Sequence, residues 1–592
     1  MKLKELISPF YVWKRAFEKP YTDPKPLEDR PGAPKYRGFH KNDLEKCIGC
    51  GTCSKICQNG AIDMVPLEKI ETKNGDSGLR PKIDYGRCCW CALCVDVCPT
   101  SSLGMSNEYI WIDTDPEVFR FIAGAENKPW DKMKLGYERS KEYQLLDPKR
   151  VDMEILDANE RVKSFIEMVK GYSKEQAEKE ADRCIQCGLC ISTCPAHMDI
   201  PGYIKAIREG NVEDGLKLMY ETNPMPAMCG RVCTHRCEFD CALTYMGEAV
   251  SIRWLKRYLA DQIALEDYEK AMPVDIKPIG KKIAIIGAGP GGLSAAYYLK
   301  LIGYDITVYE MKEYAGGMTR YGIPEYRLPY DQLDKDIKYI ESLGVNIKTN
   351  TKVGKDIDFK EIYDNYDAIF ISTGLDQPYK MEIEGEELSG VISGLKLLDD
   401  VTNGIKPDIG SDVAVIGGGN VAMDAARTSR TFGAKVTLLY RRRIEDMPAD
   451  EEEIHESQAE KVDFITQAVP LRIEKTKNNR LKFVYGLAEM VNQGQGKRPK
   501  PVLKDKTEHS IIVDTVISAI GQGANFSFLP KEFRDKMVGK WEKIKVDEKL
   551  QTPDIKIFAG GDIANKTKDA ISAIADGHKA AKEIDRFLYS TE

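Results

Sequence analysis

The chain has 592 residues, 42% of them apolar and 30% charged, with a formal net charge of −7. That length exceeds the roughly 250–300 residues at which a single core stops growing, so several domains are expected. The acidic balance argues against nucleic-acid binding, and no run of about 18 apolar residues is available to span a bilayer.

The N-terminal segment MKLKELISPFYVWKRAFEKP has no long apolar stretch and no small-residue cleavage site, which argues against disulfides; a cytoplasmic location is expected from the cluster chemistry of the cysteines farther along the chain. Ser8 and Pro9 read as the N-cap and first position of a helix whose Phe10, Trp13 and Phe17 share one face until Pro20 ends it. A Pro-rich entry, Tyr21 to Pro34, completes segment 1–40. The aromatic stripe reads as a docking face, because Lys14, Arg15 and Lys19 are too few for a membrane-surface helix.

Sixteen of the seventeen cysteines then fall into four groups: Cys47, Cys50, Cys53, Cys57; Cys88, Cys91, Cys94, Cys98; Cys184, Cys187, Cys190, Cys194; and Cys229, Cys233, Cys237, Cys241. Each group has the ligand count of a [4Fe-4S] cluster, and the first three share the C-x2-C-x2-C-x3-C spacing. Structural zinc uses two C-x2-C pairs separated by a longer loop instead. Four [4Fe-4S] clusters are expected, with Cys89 left over as a small buried side chain.

Residues 41–112 contain KNDLEKCIGCGTCSKIC and PKIDYGRCCWCALCVDVCPTSSL, which resemble the two-cluster ferredoxin subunit of respiratory complex I and related hydrogenases. Gln58 departs from the usual proline after the fourth cysteine, whereas Pro99 keeps that place in the second half. The resemblance implies that Cys47, Cys50 and Cys53 share a cluster with Cys98, and Cys88, Cys91 and Cys94 one with Cys57. A linker is expected at 113–150.

Residues 151–275 are helix-forming. They contain GYSKEQAEKEADRCIQCGLCISTCPAHMDIPGYIKAIREGN and TNPMPAMCGRVCTHRCEFDCALTYMGEAVSIRWLKRYLAD. These resemble the N-terminal domain of the glutamate synthase small-subunit family, shared with dihydropyrimidine dehydrogenase and NADH-dependent ferredoxin:NADP oxidoreductases. Some members recruit a Gln or Glu as a cluster ligand from the helix after the last cysteine. Lys256 stands there in this chain and, protonated, cannot ligate, which makes Cys229 the natural replacement. The ligand pairing in this domain stays open.

KKIAIIGAGPGGLSAAYYLKLIGYDITVYE follows as strand, Gly-rich turn, helix and strand. Gly287 makes the tight turn, Gly289 admits pyrophosphate, Gly292 permits close helix packing, and Glu310 is placed to accept from ribose hydroxyls. A second such unit, SDVAVIGGGNVAMDAARTSRTFGAKVTLLYRRR, carries Gly417, Gly419 and Ala422, but ends on Arg441, Arg442 and Arg443 where the acid would stand. Guanidinium groups at that offset suit the 2′-phosphate of NADP(H).

GGMTRYGIPEYRLP (316–329), IFISTG, VISAIGQ and FAGGDIANKTKDAISAIADGHKAAKEI again resemble the glutamate synthase small-subunit family. The resemblance assigns FAD to the first unit and NADP(H) to the second. It implies FAD contacts at Gly287, Gly289, Pro290, Gly291, Gly292, Leu293 and Glu310, at Gly317, Met318, Arg320, Tyr321, Gly322, Ile323 and Arg327, at Thr373 and Gly374, and at Gly561, Asp562, Ala570 and Ile571. NADP(H) contacts follow at Gly417, Gly418, Gly419, Asn420, Val421, Asp424, Arg441, Arg442, Arg443, Ala519 and Gly521, with Asn420 and Asp424 at the nicotinamide end.

The expected fold class is multidomain α/β plus α. It comprises a bacterial-type 2[4Fe-4S] ferredoxin domain, an all-helical two-cluster domain, and two Rossmann-like domains, with NADP(H)-binding 401–519 inserted into FAD-binding 276–400 and 520–592. The six histidines form no triad or metal set and read as incidental. The expected function is an NADPH:acceptor oxidoreductase subunit that exchanges electrons with a ferredoxin or partner redox subunit in a hetero-oligomeric complex. The alternatives are a glutamate synthase small subunit, an electron-bifurcating flavoprotein subunit and a non-catalytic wiring or assembly subunit.

Overall fold

In the computed structural model, residues 10, 12–20, 32–67, 72, 75–139, 145–494, 497–539 and 542–590 are described. The chain divides into two compact units, Met1–Pro148 and Lys149–Glu592. Residues 12–16 are helical, with Phe10, Trp13 and Phe17 exposed. The expected Ser8–Pro9 cap lies outside the described residues, as does most of the Pro-rich entry.

The first unit holds its cysteine loops on two small antiparallel sheets. Ile62–Pro66 pairs with Leu79–Asp84, and His40–Asn42 pairs with Leu103–Ser106. Each loop runs into a short helix, Thr52–Ile56 or Leu93–Asp96, entered through a left-handed residue, Gly51 (φ 74°) or Ala92 (φ 67°). The third strand of each sheet, Arg120–Ile122 or Leu135–Tyr137, comes from the region expected to be a linker. The linker expectation for 113–150 is therefore corrected. Phe121 and Trp130 in that segment are buried, and Trp130 stacks on Phe39 at 4.5 Å, so apolar burial draws in what composition disguised as a connector.

The second unit begins with helices. Lys174–Asp182 starts on a Ser173/Gln176 capping box. Helices Pro226–Val232 and Ile252–Gln262 cross so closely that a Cβ on Gly230 would fall 2.6 Å from Arg257 Cα.

Two five-stranded parallel sheets follow. The first runs Ile557–Ala559, Ala368–Ile371, Lys282–Ile286, Asp305–Tyr309, Asn346–Lys348. The second runs Val391–Ser393, Thr515–Ser518, Asp412–Ile416, Lys435–Tyr440, Asp463–Thr466. Their central strands are near-continuous apolar runs because both faces are covered. The second sheet lies between helices and an antiparallel layer of Ala468–Lys475, Leu481–Val491 and Lys500–Val513. Gln377–Pro378 pairs antiparallel with Gln522–Gly523 where the chain crosses between the domains. Because Val391–Ser393 belongs to the second sheet, the domain begins before the residue 401 read from sequence. A three-residue edge strand is too short to announce itself by pattern.

Candidate functional site

The cysteines converge by exchange between neighbouring groups. Cys47, Cys50, Cys53 and Cys98 line one cavity, walled by Ile48, Met64, Pro81 and Pro99. Cys88, Cys91 and Cys57 are the thiols whose charges bear on Cys94. In the helical domain, Cys184, Cys187, Cys190 and Cys241 line a second apolar cavity. Cys194, Cys229, Cys233 and Cys237 form the fourth quartet, and all four are buried. Burial and mutual repulsion raise the thiols of Cys53, Cys94, Cys190 and Cys237 far above the ordinary thiol range. Such groups are stable as thiolates only beside compensating positive charge, which suits iron. All seventeen cysteines are free of disulfides. Cys89, expected to be buried, is exposed, because its loop turns Cys88 inward while the following Trp90 adopts φ 54°.

The fourth quartet encloses Lys256, the residue singled out in the sequence. It is 3% exposed on helix Ile252–Gln262, and the charges of Cys233, Cys229, Cys237 and Cys194 hold it protonated against burial. His40, read as incidental, is also engaged. Burial lowers its pKa to about 4, leaving it neutral. Nδ1 lies 3.1 Å from the Tyr85 hydroxyl, and Nε2 lies 3.3 Å from Cys94 Sγ. With the hydroxyl donating to Nδ1, the Nε2 hydrogen faces the sulfur.

At the first nucleotide site, Gly287 (φ +102°) turns the end of strand Lys282–Ile286 into helix Pro290–Ile302. A Cβ there would lie 2.5 Å from Ser372 O, so only glycine fits. Glu310 ends the next strand, buried, with Oε2 accepting from Ala288 N–H at 2.9 Å and Oε1 from Lys312 N–H at 2.9 Å. Burial pushes its carboxyl up despite those two donors. Gly317 closes over the helix start, where a Cβ would meet Gly289 Cα at 2.9 Å. Thr373 Oγ1 and Ser572 Oγ are buried with no hydrogen-bond partner, and Asp562 is pushed up to about 6 by burial and by Asp569. Unpartnered polar atoms around an open glycine turn at the carboxyl ends of parallel strands fit a dinucleotide such as FAD.

Other expected FAD residues serve the scaffold. Arg320 pairs with Asp334 and stacks on Tyr330, and the Tyr321 hydroxyl accepts from Tyr314 N–H at 2.8 Å. Arg327 grips Asp424 through Nη1 at 2.9 and 2.7 Å, and its Nε reaches Glu453 at 2.8 Å.

The second site repeats the turn with Gly417 and Gly419 before helix Asn420–Thr431, and a Cβ on Gly418 would strike the Tyr440 ring at 2.6 Å. Two of its expected nicotinamide residues are already occupied. Asn420 Oδ1 accepts from Asp450 N–H at 2.9 Å, and Asp424 is 1% exposed on Arg327. Asp424 lies on the buried face of its helix, turned to Arg327 of the FAD domain. Of the three arginines, Arg442 Nε donates to Pro499 O at 2.8 Å, Arg443 pairs with Asp446, and Arg441 is exposed. Ser518 Oγ is buried without a partner at the end of a central strand.

Residues 281–577 match the family described as pyridine nucleotide-disulphide oxidoreductase. The chain belongs to that family. Its residues 161–268 match the dihydropyrimidine dehydrogenase domain II with a 4Fe-4S cluster, and residues 46–102 match a 4Fe-4S dicluster domain. Among its relatives, the small chain of NADPH glutamate synthase from Escherichia coli is 33% identical over 469 residues, covering 75% of this chain and 98% of that one. The beta subunit of NADP(+)-dependent formate dehydrogenase from Moorella thermoacetica is 40% identical over 430 residues, covering 67% and 60%. The beta subunit of NADPH-Fe(3+) oxidoreductase from Geobacter sulfurreducens is 37% identical over 430 residues, covering 67% and 63%. The chain thus spans about three fifths of the length of these last two relatives. The family and the two iron–sulfur matches make FAD, a pyridine nucleotide and [4Fe-4S] clusters its cofactors. Among the described residues no helix is long and apolar enough to cross a membrane.

Within this family member, sequence reasoning missed a buried charge network. Arg427 contacts Glu460 at 2.7 Å and Glu453 at 2.6 Å, and Arg161 joins through Glu456 and Glu460. With Arg327, these residues tie the start of the helical domain and both nucleotide domains together. Each charge reads as a solvated surface residue in the sequence, so no signal announced it.

Proposed function

We propose that this chain is the NADP(H)-linked flavoprotein subunit of a cytoplasmic multi-subunit oxidoreductase, carrying electrons between NADP(H), FAD and four [4Fe-4S] clusters to or from a partner redox subunit. The observation that carries the reading is that four cysteines line each of two apolar cavities, Cys47, Cys50, Cys53, Cys98 and Cys184, Cys187, Cys190, Cys241, in a chain that also carries two nucleotide folds. The relatives described as beta subunits support a partner. FAD, when bound, supplies the exchange of an electron pair from nicotinamide for the single electrons that iron–sulfur clusters take.

The chain's own residues hold and insulate. Glu310, fixed by two amides, presents its remaining lone pairs to ribose hydroxyls, while Thr373 Oγ1 and Asp562 face the same cradle. Arg441, exposed at the end of strand Lys435–Tyr440, is placed to pair with a 2′-phosphate. The quartets Cys47, Cys50, Cys53, Cys98 and Cys88, Cys91, Cys94, Cys57 hold the two outer clusters. The inner two belong to Cys184, Cys187, Cys190, Cys241 and to Cys194, Cys229, Cys233, Cys237. A glutamate synthase small chain is covered almost whole while a quarter of this chain lies outside the match, which favours a chain with an added electron outlet.

The test is anaerobic mixing of the full chain with NADPH or NADH while following flavin absorbance, together with iron analysis. NADPH bleaches the flavin faster than NADH, and Arg441→Ala narrows that preference at least several-fold. Iron is about sixteen per chain for four cubanes. No bleaching by either nucleotide, or about eight irons, refutes the reading.

A further inference from the structure

The fourth quartet differs from the other three in being wholly buried, and the lysine its thiols bear on, Lys256, is buried with it. Cys229 and Cys233 sit on and just after helix Pro226–Val232, and Lys256 lies on Ile252–Gln262, the helix that crosses it at Gly230. The 2.6 Å clearance at Gly230 brings the two backbones into contact, and Lys256, beside Arg257, is 3% exposed. Tyr203, on helix Ile200–Glu209, is also fully buried, and its hydroxyl meets no hydrogen-bond partner. The thiols bearing on it are Cys237, Cys194 and Cys233 of this quartet and Cys190 of the neighbouring one.

A buried ammonium and an unsatisfied buried hydroxyl each cost several kcal/mol unless something answers them. The largest charges bearing on Lys256 are four thiols, those of Cys233, Cys229, Cys237 and Cys194. A cubane with four thiolates carries net negative charge and gains one more on reduction, so a fixed cation and an O–H donor at its sulfurs favour the reduced form.

Resting on the four-cluster reading, we propose that Lys256 and Tyr203 are positioning residues that set the potential of the cluster held by Cys194, Cys229, Cys233 and Cys237, making it the more readily reduced of the inner pair. Lys256 would supply a counter-charge, and Tyr203 Oη, which meets no acceptor on the protein, would donate to a sulfide of the bound cluster. The lysine also explains why this quartet needs its fourth thiol: a cationic side chain occupies the place from which another residue would ligate, and Cys229 completes the set.

The test is an EPR-monitored redox titration of the full iron-loaded chain, with iron and sulfide counted on each sample. In Lys256→Met one cluster signal moves to more negative potential while the others stay and iron is unchanged. Tyr203→Phe moves the same signal the same way by less. Unmoved signals in an iron-complete Lys256→Met protein overturn the role of the lysine, and unmoved signals in Tyr203→Phe overturn that of the tyrosine. If Lys256→Met loses about four irons, retention of them by Lys256→Arg supports the counter-charge, and their loss there too overturns it in favour of packing. A wild-type chain with only about eight irons fails the four-cluster reading itself, before any variant is compared.

Discussion

The ferredoxin unit and the helical cluster domain use the same repeat of four thiols in opposite surroundings. In the first, Cys91 is exposed and only Cys94 and Cys98 are buried; in the second, Cys190, Cys194, Cys229, Cys233 and Cys237 are all buried. In the ferredoxin unit a neutral donor, His40, meets Cys94 and the cation near Cys47, Arg80, is already paired with Asp76, whereas in the helical domain the charges bearing most on buried Lys256 are thiols. Solvent can stabilise the charge of an open cluster, and a buried one has to draw the same stabilisation from the protein. Identical spacing therefore does not imply identical redox behaviour.

The largest test of that contrast is removal of one ligand from each region. Cys229→Ser and Cys91→Ser each lose about four irons of sixteen. Only Cys229→Ser also lowers the melting temperature of the flavin-containing unit, because its thiol is wholly buried there. Equal melting losses would erase the distinction between open and enclosed clusters. Next comes the buried charge network. Arg427→Met removes one of the two cations on each of Glu453 and Glu460, leaving them only Arg327 and Arg161, and costs about 3–5 kcal/mol in denaturant unfolding. Arg80→Met in the ferredoxin unit breaks one pair, with Asp76, and costs less. The reverse order would mean that the network is not what joins the nucleotide and helical domains.

A smaller effect is expected at His40. His40→Phe leaves the Cys94 sulfur and Tyr85 hydroxyl without their ring partner, costing about 1–3 kcal/mol in urea unfolding of the first unit. It lowers the potential of one outer cluster by less than Lys256→Met lowers that of an inner one. The smallest effect is a pH slope at His578, which stacks on Tyr298 at 3.9 Å and whose pKa burial lowers to about 4. The unfolded chain binds a proton near pH 6.5 and the folded chain only near 4, so stability is present above 6.5 and falls as pH drops between those values. The ceiling is about 3 kcal/mol, which solvent screening at this half-buried ring reduces to about 1–2. His578→Phe removes that part of the slope in melts from pH 7 to pH 4.

Legibility followed the range of the interactions. The turn at Gly287, the acid Glu310 and the cysteine groups all show in sequence because each belongs to a pattern written within one short segment. The third strands Arg120–Ile122 and Leu135–Tyr137 did not show, since short polar-edged segments become strands only when a sheet edge is there to receive them. Arg327 and Asp424 each looked like a cofactor residue while read alone; 97 positions apart, they turned out to be each other's partner.

Sequence by itself determined the family, the two nucleotide turns and the sixteen thiols, because strand–glycine–helix units and thiol spacing are local chemistry. Only the tertiary structure decided that in the helical domain the last cysteine of each group joins the other quartet, and that Lys256 and Tyr203 are buried where the thiols of one quartet bear on them. Those outcomes depend on helices crossing at Gly230 and on which side chains burial excludes from water, and neither is written in any one segment.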